Sequence, residues 1–369
     1  MINQYQTQMN IIDIQSYGFH QTIKNQKIRM KNLIVLFAAV IMLTGCSGQR
    51  KADKKLSSEI LADSSLAIVD SMAHALLKKG FNAGSGYSQV WARDLNTFVE
   101  IALEEVDPAE VRGAILVFFA LQQPNNEMID GYVLKNDFNW GDPDVYLSEI
   151  DTAHIGFKNT VETDQETSLI QTVAKYIRVT GDQSILTEKA GGKAVLERMK
   201  LMIDYLMNER YSTEYGLLWG AMTADWGDVQ PNTDNVVDID STTTPAIDIY
   251  DNAMFIIALR DMAKMDPSGA AKWNKLADEI AERAMKHLWD EENHKFIPHI
   301  YLDRSPIPEG FDESKVYYHG GTAVAIEAGL LDRQQIEISN NKMLENVRLS
   351  GAPSIELTLY PVYPNKFFH

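Results

Sequence analysis

Cysteine is all but absent: Cys46 is the only one in 369 residues, so neither an internal disulfide nor a cysteine-based zinc site can form. The eight histidines are scattered, with no His-x-x-x-His pair. No P-loop, dinucleotide fingerprint or Gly-x-Ser-x-Gly elbow is present, which removes the nucleotide-binding and serine-hydrolase classes that depend on them. A basic surplus is lacking too: 34 Lys and Arg stand against 51 Asp and Glu, a net of −17. Such a chain is repelled by nucleic acid and by anionic lipid, so no nucleic-acid partner is expected. Long apolar runs are also missing. The strongest, residues 33–43, is too short to span a membrane as a mature helix.

That run follows Lys31 and closes on Leu43-Thr44-Gly45-Cys46, the layout of a secretory signal. Leu-x-Gly-Cys resembles the bacterial lipobox, which implies cleavage before Cys46, lipidation of its thiol, and a lipid-anchored place in the bacterial cell envelope. Residues 1–29 are polar without signal character, and Met30 is the better start. Residues 1–45 are therefore read as leader, 46–57 as lipidated cysteine and tether, and 58–369 as the folded domain. The leader carries +3 (Lys24, Lys27, Arg29 and Lys31 against Asp13), so the remainder carries −20.

What is present is helical periodicity. Leu61, Leu66, Val69, Met72 and Leu76 form one stripe, and Leu95, Phe98, Val99, Ala102 and Val106 form another. Residues 109–123 read as a largely buried helix by their near-continuous apolar run, and further stripes follow from Leu169, from Val195, behind Pro245 (placed at a first helical position), around Trp273, and over 320–331 and 332–349. Thr163 and Glu166 have capping-box spacing. About nine helices and few credible strands result. Short turns alternate with long loops at 124–160, 210–244 and 291–318, and loops of that length in a compact domain carry function. The expected fold is all-α, paired helices in a ring with the long loops at its mouth.

Three clusters can carry chemistry. Trp91, Arg93 and Asp94 open a helix after a Gly-containing loop; Trp gives a sugar ring a flat apolar face, and Arg and Asp hydrogen-bond hydroxyls. A first-turn Arg93–Asp94 salt bridge is the plainer reading. Asp225 and Asp228 flank Trp226, and a carboxyl desolvated beside indole favours its protonated form, which suits a general acid. Glu162, Asp164 and Glu166 sit where another helix begins, and Trp140 lies in an acidic aromatic loop with Asp137, Asp142 and Asp144. No cofactor is expected; a calcium ion on Asp234, Asp238 and Asp240 is the one metal reading left open, without the spacing of an EF-hand.

The "WARD" that opens an early helix and the Asp-Trp-Gly-Asp turn in a later loop resemble the six-hairpin glycosidases, (α/α)6 toroids that include glucoamylases, trehalases and processing α-glucosidases. The resemblance implies an exo-acting, inverting glycoside hydrolase acting on oligo- or polysaccharide. Trp91, Arg93, Asp94, Trp140, Asp164, Glu166 and Trp226 would bind sugar, and Asp228, or Asp225, would protonate the leaving oxygen. Such a toroid has twelve helices, and its base lies late in the chain. About nine are counted here before the apolar "GAPSIELTLYPVYPNKFFH", so a truncated, incomplete toroid lacking its base is expected. A non-catalytic glycan-binding lipoprotein is the alternative of a different class. A lyase or unsaturated-uronyl hydrolase on the same ring is a third, and it would want a basic cleft.

Overall fold

The computed structural model describes residues 54–368 apart from 56, 79, 82–87, 139–144, 232–233 and 353–356. The chain divides into two compact units, 1–72 and 73–369. The described part of the first is helical and runs into α1 (Ser64–Leu77). Its stripe of Leu61, Leu66, Val69 and Met72 is exposed and not buried as expected. Periodicity makes an apolar face, but only a neighbouring element laid on that face buries it.

The second unit is built of helical hairpins. Asp107 accepts a hydrogen bond from Ala109 N, and Pro108 follows at the first helical position, so α2 (Ala92–Glu105) turns tightly into α3 (Pro108–Ala120). Next come α4 (Gln165–Thr180) and α5 (Val195–Glu209), then α6 (Ile249–Met265) and α7 (Ala270–Leu288). The last pair is α8 (His319–Glu327) and α9 (Arg333–Ser350), the latter opened by a capping box between Asp332 and Gln335. In space α2, α4, α6 and α8 stand side by side in that order, each paired with the helix that follows it. Buried Gln171 of α4 fixes this row: its carbonyl accepts from Asn96 of α2 at 3.3 Å, and its amide donates to Met254 O of α6 at 3.0 Å. Among the described residues the row is an open arc with no closed ring, an incomplete α/α toroid.

Helices dominate as expected, but the long loops also carry short antiparallel strands. Val90–Trp91 pairs with Gly131–Leu134, which pairs with His154–Phe157. Pro245–Ile247 lies between Gly220–Ala221 and Ile300–Tyr301. Pro245 therefore begins a strand, where its missing N–H costs little, and does not begin a helix. Helix α6 starts at Ile249 instead, capped by Asp248, whose carboxylate accepts from Asp251 N at 2.9 Å. The capping box of Thr163 and Glu166 does not form either. Asp164 is the N-cap residue of α4, with its side chain engaged elsewhere, and Glu166 accepts from Met128 N at 2.8 Å.

Candidate active site at the inner helix N-termini

Four inner helices begin at one place. Arg93, in the first turn of α2, donates from Nε and Nη2 to both oxygens of Asp164 at 2.7 and 3.0 Å. Tyr250, in the first turn of α6, donates its hydroxyl to Asp164 at 2.7 Å. Arg93 Nη2 also lies 3.1 Å from Glu162. Its ion pairs are thus with residues 69 and 71 positions away and not with adjacent Asp94. Burial opposes the charges on Arg93 and Asp164, but each outweighs that for the other. The Arg93 pKa stands well above its ordinary value, and the Asp164 carboxyl stands below its own.

The fourth helix is tied in through the loop at 223–228. Asp225 has φ 59°, a conformation that Asp tolerates better than most residues. This turns its carboxyl onto the first turn of α8, where it accepts from Gly320 N at 2.7 Å and Gly321 N at 2.8 Å. Glycine is required at 320: a Cβ there would lie 2.3 Å from Trp226 Cδ1 and 2.8 Å from Asp225 Oδ2. Burial pushes the Asp225 pKa up to about 8 against the pull of these two N–H donors. Trp226 is 41% exposed, with its ring 5.7 Å from the Arg93 guanidinium. Asp228 is exposed as well; its main-chain oxygen accepts from Asn159 at 2.7 Å, while its carboxylate makes no hydrogen bond or ion pair among the described residues.

Behind this rim the carboxyls crowd. Burial raises the pKa of Asp130 to about 7 and that of Asp248 to about 6. Burial also raises Glu162 well above its ordinary value, with Asp130 adding to it, and raises Asp251 likewise, with Asp248 adding to it. Arg93, Glu162, Asp225, Trp226, Asp248, Tyr250 and Asp251 face a cavity of ≈ 10 Å³, room for about one water-sized group. A whole sugar ring cannot enter it, so a sugar would rest on the rim and send one substituent inward.

The structure brings together Arg93, Asp164, Asp225, Trp226 and Asp228 from the sequence-based set. Asp94 is half-buried in the first turn of α2, its pKa raised by burial and opposed by Arg93. Trp91 packs beneath the rim, over Gly131 and 6.3 Å from the Phe157 ring. Glu166 lies behind the site, 3.8 Å from Lys158. Trp140, Asp142, Asp144 and Cys46 lie outside the described residues. Asp240 accepts from Thr242 N at 2.7 Å, and no group of three or more His, Cys, Asp or Glu among the described residues is arranged to hold a metal ion. His154 and His319 are held by Asp151 and Asn346. Sequence reasoning missed Asp130, Asp248, Tyr250 and Asp251. The Asp-x-x-Asp spacing of 248 and 251, an N-cap and the third helical position, was the available signal.

No family model matches the sequence, and no curated protein matches it. Among solved structures the chain is similar to a rhamnosidase from Klebsiella oxytoca with rhamnose bound, at 12% identity and TM-score 0.50, over 77% of this chain and 48% of that one. It is also similar to a GH63 mannosylglycerate hydrolase from Thermus thermophilus in complex with Tris, at 13% identity and TM-score 0.50, over 80% of this chain and 81% of that one. The chain spans about half the length of the rhamnosidase. The similarity is one of fold alone, an arrangement of paired helices that the chain shares with these two structures.

Proposed function

We propose that this protein is a glycoside hydrolase, exo-acting and inverting, with its site where the inner helices begin and Asp228 as general acid. The observation that carries the reading is the exposed, unbonded carboxylate of Asp228 beside the exposed face of Trp226. Trp226 stacks on the terminal sugar. Arg93, with three of its N–H groups directed at Asp164 and Trp226 O, keeps the loop in place and offers what remains to a hydroxyl. Asp228 gives its proton to the leaving oxygen as the glycosidic bond breaks, and water adds to the anomeric carbon from the opposite face, where inversion requires a second carboxylate. We propose further that Cys46 carries a lipid that holds the domain at the cell envelope.

The test is release of sugar from a panel of neutral oligosaccharides and aryl glycosides, followed by NMR of the first-formed anomer. One terminal sugar of inverted configuration per event is expected. Internal fragments would contradict exo action, and no release from any substrate would contradict hydrolysis.

A further inference from the structure

The charges around the cavity do not balance, and the imbalance points to a substituent. Glu162, Asp225, Asp248 and Asp251 line the cavity, with Asp130, Asp164 and Asp228 near Glu162, and Arg93 is the cation in that lining. Most of these carboxyls have partners. Asp164 and Glu162 hold Arg93, both oxygens of Asp225 take backbone N–H groups, and Asp248 caps α6. Asp251 differs. It is 8% exposed and lines the cavity, and its carboxyl makes no hydrogen bond or ion pair among the described residues. Its oxygens open onto the cavity, where a donor would meet an acceptor that no described residue holds. The space is ≈ 10 Å³, about that of one water or one ammonium group. The carboxyls are not arranged as a metal site.

We infer that this cavity receives the primary ammonium group of an amino sugar, hydrogen-bonded by Asp251, with Asp248 and Glu162 as neighbouring carboxyls. A hydroxyl would gain one neutral hydrogen bond there. An ammonium gains charge-assisted ones, which are about twice as strong. A uronate would bring a further carboxylate against these carboxyls, with Arg93 already engaged by Asp164 and Glu162. The inference rests on the glycan-binding reading and names the substrate class within it.

The test is calorimetric binding to the full chain at constant ionic strength. The probes are glucosamine, galactosamine and mannosamine, each beside its neutral parent, with glucuronate and galacturonate as the anionic pair. At least one amino sugar binding about tenfold more tightly than its parent, with the uronates weakest, is expected. In Asp251→Asn, with an unchanged thermal melt, that preference falls to near parity. Neutral sugars that bind as well as their amino counterparts would overturn the inference and leave the glycan reading standing. Failure of every sugar to bind would overturn both. The wild-type comparison decides the matter even where the variant does not fold.

Discussion

Arg93 Nη1 donates to the main-chain carbonyl of Trp226 at 3.0 Å, across 133 positions of sequence. The same guanidinium clamps Asp164 at 2.7 Å and 3.0 Å, so one side chain joins the start of α2, the start of α4 and the loop that carries the proposed acid. Trp, Arg and Asp come together at residues 91–94 in part because the arginine assembles the site, apart from any direct contact with sugar.

Arg93→Ala leaves Asp164, which is 1% exposed, without its counter-charge. Breaking a buried pair from one side costs about 3–5 kcal/mol. Urea denaturation should show a loss in that range. Arg93→Lys keeps a charge but not the fork that meets both Asp164 oxygens, and its stability should fall between those of the wild type and Arg93→Ala.

Gly320→Ala drives a methyl group into the Trp226 ring and the Asp225 carboxylate. Trp226 shifts away from the rim, and sugar hydrolysis drops by about 10²-fold, the scale expected of an ångström-sized displacement. Gly113→Ala is the matched control. Nothing lies within 4 Å of its Cβ position, and it sits within α3, so it should stabilise the fold by about 0.5–1 kcal/mol and leave activity unchanged.

Stability should fall as pH rises. Burial moves Asp225, Asp130 and Asp248 from 3.8 to about 8, about 7 and about 6, so between 3.8 and those values the folded chain holds protons that the unfolded chain has released. Asp266 works in the opposite direction lower down. Burial opposes its charge, but Lys200, Ser268 and Trp273 outweigh it and hold it at about 2, so its contribution is lost as pH drops from 3.8 toward that value. The melting temperature should therefore be higher at about pH 5 than at about pH 8. Asp225→Asn should flatten the upper part of that slope, and an unchanged slope would count against a protonated Asp225.

Cys46→Ser should move the protein from the membrane fraction to the soluble one and abolish labelling by a radioactive fatty acid. Retention of label in the variant would place the lipid elsewhere.

The helices were legible because burial of one face imposes a period: Leu95, Val99 and Ala102 of α2 are buried as their spacing requires. The aromatic-acidic turn was legible as chemistry, since Asp225, Trp226 and Asp228 have few other reasons to stand together. Their attachment was not legible. Asp225 is bound by Gly320 and Gly321, 95 and 96 positions away, and no local pattern announces a backbone N–H as a partner. Asp248 and Asp251 were hidden by Pro245, whose helix-start signal was overridden by pairing on both sides of its strand. Asp130 lies beside Gly131–Leu134, a strand in a loop whose pairing to both neighbours is non-local.

In the proposed mechanism Asp228 supplies the proton. Asp228→Asn removes the acid while leaving Trp226, Arg93 and the buried carboxyls untouched. Turnover of the best substrate in the neutral glycoside panel should fall by about 10²–10⁴-fold with sugar affinity retained. Hydrolysis at the wild-type rate would contradict the account and return the acid to Asp225 or to another carboxyl of the cluster.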